Sequence, residues 1–274
     1  MSALNISATP HPEGIYVDLL TRAAGKKTNF RGSDWAKLTK PTQTEQEGVF
    51  QGRILVWTEI DTSGPWLNTE TDDALSSSDK ATINIPAKAK PNYRVFNYVF
   101  REKGHRLYFE TSNEFGDTFG PTTAQRALLN LLEKPALARG IDLSVTVVPK
   151  SGAVKTVLSL PGLRLLHIRV ILPNEDTTDD RKRRRVLKRL EDAHAKQLDE
   201  IYTKRAGEDR LVTTPEIQET AEAAATDGFV TGVGRKNGKR VEASTTKLAR
   251  RETIPADQAG ASFFSRLMGS IGLF

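Results

Sequence analysis

The sequence predicts an α/β (α+β) fold: a mixed sheet with short helices, followed by a helical and β-hairpin C-terminal region. Three observations carry this expectation. Residues 93–110 hold two strand-like runs about a Lys103-Gly104 turn, the pattern of a β-hairpin. Further strand-like runs alternate with short helical stripes as far as Pro173. Asn237-Gly238 then sits between two more strand-like runs, and that dipeptide is the strongest two-residue hairpin signal.

The chain opens on a strand, Leu4 to Thr9, broken by Pro10 and Pro12. A short helix from Ile15 to Ala24 follows, with Ile15, Leu19 and Leu20 on its inner face. Residues 25–51 are polar and rich in Lys, Thr and Gln, and residues 54–59 form a second strand. Asp61 to Ser78 is acidic and turn-forming, so a surface loop is expected there. The 93–110 hairpin pairs Val95–Phe100 with Arg106–Glu110; its aromatic residues are expected in the core, since few cations share a face with them to hold a nucleic acid. Pro121 starts a helix through Leu132, with Ala124, Leu128 and Leu131 in one stripe. Leu143–Val148 reads as a strand, Gly152–Leu160 as a short helix and Leu165–Leu172 as a further strand.

Composition changes after Pro173. Glu175, Asp176, Asp179 and Asp180 precede a helix placed at Thr178 to Lys204, in which Val186, Leu190, Ala193, Gln197 and Ile201 trace a stripe at helical spacing. A second helix spans Pro215 to Asp227, with Ile217, Ala221 and Ala224 on one face. The expected organisation is a mixed α/β domain at 1–174, then a region at 175–248 with the basic helix, the second helix and the Asn-Gly hairpin. A tether and an amphipathic terminal helix occupy 249–274. A single domain in which the tail packs on the sheet is the competing arrangement.

A length of 274 residues suits one large domain or two small ones. The absence of cysteine excludes disulfides, zinc ribbons, iron–sulfur clusters and thiol nucleophiles. Four histidines, His11, His105, His167 and His194, supply little imidazole chemistry. No run is long and apolar enough for a membrane span or signal peptide, so a cytoplasmic location is expected. The net charge is only +6, and its placement therefore matters more than its size.

Several segments, His105-Arg106-Leu107-Tyr108-Phe109-Glu110, Val147-Val148-Pro149, Leu160-Pro161-Gly162-Leu163 and Pro173-Asn174 before the acidic-basic helix, resemble an uncharacterised bacterial domain-of-unknown-function family. The Asp227-Gly228-Phe229-Val230 turn and the glycine-rich hairpin after it fit the same pattern, so the resemblance covers most of residues 1–246. It implies a mobile-element or phage-defence context and brings no catalytic residues with it.

Two clusters are candidates for nucleic-acid contact. Arg181, Lys182, Arg183, Arg184, Arg185, Lys188 and Arg189 crowd the first turns of the basic helix, where the helix dipole disfavours cations. A plain solvated helix end is the favoured reading of this cluster, ahead of phosphate contact and of an acidic protein partner. In the hairpin, Lys236 faces Lys239 and Arg235 faces Arg240, so like charges oppose each other twice, at a cost that an anionic ligand reverses. Gly232 and Gly234 admit a close backbone approach, a twist or a bulge.

The terminal residues Phe263, Phe264, Leu267, Met268 and Ile271 share one helical face, which needs a cover. The candidates are the protein's own body, a second copy or a partner, and partner binding is the favoured reading. No catalytic or metal-ligating residue and no cofactor are assigned: no nucleophile elbow, phosphate-binding loop or histidine pair at ligand spacing is present.

The expected function is a non-catalytic nucleic-acid-binding or assembly protein, contacting DNA or RNA and, through the resemblance, belonging to a bacterial anti-phage system. A metal-dependent nuclease effector and a scaffold for an acidic protein are the alternatives.

Overall fold

β1 (Ser2–Thr9) sits inside an eight-stranded sheet, and every one of its first seven residues is buried: Leu4, Ile6 and Ala8 on one face, Ala3, Asn5 and Ser7 on the other. This computed structural model describes residues 1–172, 181–254 and 263–271, with side chains at all but 181–183, 263 and 271. After β1 come α1 (Ile15–Ala23), β2 (Lys27–Arg31), β3 (Asp34–Leu38), β4 (Thr42–Gln43) and β5 (Val49–Thr58). A small surface hairpin, β6 (Leu67–Asn68) and β7 (Asp73–Ala74), and a short helix, α2 (Ser77–Ala81), precede β8 (Arg94–Arg101) and β9 (Arg106–Phe109). Then follow α3 (Pro121–Leu137) and β10 (Asp142–Val147). The strand order is β10-β1-β9-β8-β5-β3-β2, with β4 beside β5, and every ladder is antiparallel.

One face of this sheet packs on α1 and α3. Leu4, Ile6 and Ala8 alternate toward it from β1, and Ile15, Leu19 and Leu20 meet them from α1. Five of the six hairpin aromatics are core: Phe96, Tyr98, Phe100, Tyr108 and Phe109 are buried, and Phe119 stacks on Phe96 with ring centroids 5.1 Å apart, whereas Tyr93, ahead of β8, is exposed. Such ring pairs add about 0.5–1.5 kcal/mol beyond their buried area. The polar stretch 25–51 supplies three strands and the start of a fourth. Its alternation is hidden because polar residues share the inner side, Thr28 opposite Ala36 and Asp34 two before it, while Trp35 lies on the outer side, so that only Phe30, Ala36 and Leu38 of β2 and β3 are buried.

The second sheet begins with α4 (Ala153–Leu158) and β11 (Leu165–Ile171), and continues through α5 (Arg181–Asp192), β12 (Gln197–Thr203), α6 (Pro215–Thr226), β13 (Gly228–Lys236) and β14 (Lys239–Ser244). Its order is β12-β11-β13-β14, again antiparallel. β11 pairs with strands on both sides of it, so the ladder crosses residue 175. Leu166, Ile168, Val170 and Val230 bury one face under α4, α5 and α6. Thr214 caps α6 by accepting from the Ile217 N–H, and Pro215 occupies its first position.

The single helix expected at 178–204 is corrected. Residues 178–180 lie outside the described residues, as do Glu175, Asp176 and Asp179; α5 ends at Asp192 and residues 197–203 form a strand. Leu198 and Tyr202, four apart, satisfy a helical stripe and a strand alternation equally well. The free edge of β11 decides between them, since pairing with it satisfies the backbone of 197–203. His194 is therefore no helix residue but part of the turn, at φ 50°, and Ile201 is 64% exposed rather than inward.

The two sheets meet where Asp227 accepts a 3.2 Å hydrogen bond from Asn5, both side chains being buried. A Lys196–Asp142 ion pair lies at the same end of the second sheet. α7 (Phe263–Ile271) lies on the face of the first sheet away from α1 and α3, the face to which Asn5 also points: Leu267 is fully buried, in one cluster with Met1, Ala3, Val49, Val99 and Tyr108, and Phe264 and Met268 pack beside it. Phe264, Leu267 and Met268 of the apolar face expected to await a partner are thus turned to the protein's own sheet, while the side chains of Phe263 and Ile271 lie outside those described. Residues 249–254 are likewise no free tether, since Arg250 and Glu252 donate backbone hydrogen bonds to Val148 and Met1, while 255–262 lie outside the described residues. Leu267→Ala is expected to destabilise the fold by about 2–4 kcal/mol through the cavity it leaves. A denaturant midpoint equal to the parent's would show that α7 contributes nothing to the protein's own core.

Candidate nucleic-acid interface

The 228–244 hairpin has the register read from its sequence. Arg235 pairs with Arg240 and Lys236 with Lys239. Asn237 and Gly238 adopt φ of 51° and 76°, the left-handed pair that a tight two-residue turn requires. Residues 235–240 are all exposed. Arg240 reaches Glu242 at 3.2 Å, whereas the side chains of Arg235, Lys236 and Lys239 have no acidic partner among the described residues.

The glycines of β13 serve the chain's own packing. A Cβ on Gly234 would lie 2.3 Å from the Pro161 carbonyl oxygen, and the Arg235 N–H donates to the Pro161 and Gly162 carbonyls. The close approach these residues admit is that of the 161–162 loop, which braces the base of the tip.

Long-range pairing adds four cations to this end of the sheet. The Arg164 N–H donates to Val233 at 2.8 Å, Lys204 to the Arg164 carbonyl at 2.8 Å and Leu211 to Leu163 at 2.7 Å. These contacts bring Arg164, Lys204, Arg205 and Arg210 beside the hairpin. Arg164 and Arg205 are exposed and have no acidic partner among the described residues, while Lys204 and Arg210 are spent on backbone carbonyls. Among the described residues, the carboxylates Glu208, Asp209 and Glu242 share this end. No local pattern marks these cations as one surface, because Arg164 stands singly before β11 and the Lys204-Arg205 pair follows β12, about 40 residues away.

The basic helix divides its predicted residues. Arg185 bridges to Glu219 of α6 at 3.4 Å and Arg189 to Glu200 of β12 at 3.0 Å, so both brace the layer of helices over the sheet. Arg184 also has an interaction, and Lys188 is exposed. Arg181, Lys182 and Arg183 belong to the helix, but their side chains lie outside those described. α5 and α6 both end beside Ile171, where Leu172 donates to Lys196 and Ile171 to Asp227. Their first turns therefore lie toward the end that carries the hairpin tip.

The sheet face away from the helices holds a polar constellation that the sequence reading missed. Asp199 accepts from His167 Nε2 at 2.7 Å and from Arg169 Nε at 2.8 Å through one oxygen. Burial pushes the Asp199 carboxyl up, but the hydrogen bonds and charges of Arg169 and His167 outweigh it and hold its pKa below the ordinary value. Arg169 lies 5.2 Å from the centroid of the Phe229 ring, and His167 meets that ring edge-on at 5.0 Å. These residues come from three strands, so no spacing could have announced them.

Among the clefts of the described residues, two of large volume lie elsewhere. One, of about 690 Å³, runs between α4 and α6 and is lined by Lys150, Lys155, Arg210, Thr213, Gln218 and Glu222 among others. The other, of about 780 Å³, includes Asn97, Glu110, Arg251 and Arg266. Burial raises the Glu110 pKa, although Asn97 donates two hydrogen bonds to its carboxylate. Among the described residues no three of His, Cys, Asp or Glu are grouped to hold a metal ion, and no helix is long and apolar enough to cross a membrane.

Residues 1–269 match a family described as a domain of unknown function, DUF4747. A search of curated proteins gave no match.

Proposed function

The chain belongs to the DUF4747 family, and from that premise we propose that it is a nucleic-acid-binding protein that grips phosphates with the basic end of its second sheet. One observation carries the reading: four cations stand in two directly opposed cross-strand pairs at an exposed tip. Such opposition costs a few tenths of a kcal/mol per pair in the isolated chain. A polyanion laid across the tip reverses the sign of that term. Arg164 and Arg205, without acidic partners among the described residues, extend the positive surface to the neighbouring strand ends, and the braced 161–162 loop holds the tip in place.

Contacts of this kind release counterions and carry no base information. The test is fluorescence anisotropy of labelled DNA and RNA of several sequences with the full chain, across a salt series. Affinity should fall with a log–log slope of roughly −4 to −5, about 0.7–0.9 for each of some six phosphate contacts. Sequences should differ by only a few-fold. Binding that ignores salt, or that selects one sequence strongly, would overturn phosphate contact as its source. An acidic protein competing for the same tip would show itself as a chain that binds no nucleic acid at low salt.

A further inference from the structure

Resting on the nucleic-acid reading above, we infer that the preferred ligand is a single strand, whose bases lie on the open face of the second sheet while its phosphates reach the hairpin tip. The helices cover only the Leu166–Val230 face of this sheet, and among the described residues no helix packs on the other. Strand alternation places Leu165, His167 and Arg169 on that open face, in register with Val233, Thr231 and Phe229 of β13. Ile201, opposite His167 on the edge strand, is 64% exposed.

The same alternation carries the face into the basic tip. Val233 pairs with Glu242, and the next residues on this side are the pair Arg235 and Arg240. The face is therefore graded: at its middle the Phe229 ring, with Ile201 and Val233 nearby, lies beside the mutually neutralised Arg169–Asp199 pair, and one end is cationic. Phosphates gain nothing from Phe229, Ile201 or Val233. Bases do, and in a duplex the base faces are stacked away from protein. The distance along β13 from Arg235 to Phe229 is about 20 Å, enough for a few nucleotides in an extended strand.

The centre of the face is preorganised for stacking. Asp199 fixes both the Arg169 guanidinium and the His167 ring, and these in turn hold Phe229 from two sides. The Arg169 side chain keeps 35% of its surface exposed, so its plane offers a second platform beside the ring. Because Asp199 neutralises Arg169, this part of the face attracts bases by stacking rather than phosphates by charge.

The experiment compares a short labelled DNA strand, the RNA strand of the same sequence and the corresponding duplex, each with the parent, Phe229→Ala and Ile201→Ser. The parent should bind one or both single strands at least about tenfold more tightly than duplex. Phe229→Ala should lower single-strand affinity by about tenfold, the loss of one stacked base, and leave duplex affinity unchanged. Ile201→Ser, at a largely exposed side chain, should lower it about threefold with an unaltered thermal midpoint, which keeps the result independent of any folding defect at Phe229. Equal affinity for strand and duplex, or parental single-strand binding by both variants, would overturn the open face as the site and leave phosphate contact by the tip standing. If no nucleic acid binds to the parent at low salt, the underlying reading and this inference fall together.

Discussion

Changing Arg235, Lys236, Lys239 and Arg240 together to serine is expected to lower nucleic-acid affinity by about 100-fold at 0.1 M salt and to make the salt slope shallower by about 3. Both numbers follow from removing four counterion-releasing contacts. The fold should not suffer, because residues 235–240 are exposed and the tip's shape is set by Asn237-Gly238 and by the 161–162 loop. Relief of two like-charge pairs should raise stability by a few tenths of a kcal/mol per pair. The readout thus has two arms, anisotropy across salt and a denaturant curve. Parental binding with a parental slope would remove the tip from the interface, whatever the stability shows. A collapse of stability would instead mean that the cations take part in packing, contrary to their exposure.

Gly228→Ala is expected to destabilise the protein by about 3 kcal/mol or more, a loss at the upper end for overpacking. A Cβ at this position would lie 1.8 Å from the Arg169 carbonyl oxygen and 2.8 Å from its carbon. These are backbone atoms of the central strand, paired on both sides, and they cannot swing aside as a side chain does. β13 would have to leave β11, loosening Val230 from the helices above it and Asp227 from Asn5 at the junction of the sheets. In a chain of this size the loss lowers Tm by roughly 6–12 °C.

The other glycines rank below it on the same physical grounds. Gly234→Ala meets one carbonyl at 2.3 Å, in a loop rather than in a strand paired on both sides, and the nearest atoms to a Cβ on Gly232 are methyl groups of Val157, Leu160 and Leu163 at 2.9–3.1 Å. Urea midpoints of the three variants should therefore fall in the order Gly228, Gly234, Gly232, lowest first. A Gly228→Ala protein as stable as the Gly232→Ala one would contradict the close β11–β13 approach.

Much of the fold was legible in the residues because it is locally encoded. Asn237-Gly238 specifies its own turn conformation, and once that turn is set, pairing places Arg235 against Arg240. Pro121 and Pro215 mark helix starts, and the stripes of α1, α3 and α6 lie at the spacing their burial requires. The strand aromatics of the 93–110 hairpin read as core, because side chains that large and apolar bury on both faces of a strand pair that has neighbours on each side.

What the tertiary structure alone decided depends on partners distant in sequence. Leu198 and Tyr202 fit a helix and a strand equally, and only the edge of β11 chose the strand. The apolar face of α7 is the same whether a partner or the chain's own sheet covers it, and burial of Leu267 against Ala3 and Val99 was set by packing. Arg164, Arg205 and Arg235 come together, as do His167, Asp199 and Phe229, because hydrogen-bonded strands lie about 4.8 Å apart whatever the length of chain between them. By itself the sequence determined the turns, the helix starts and the opposition of charges at one tip. Which surface those charges belong to was decided by backbone pairing, whose donors and acceptors are alike at every residue and carry no mark of their partners.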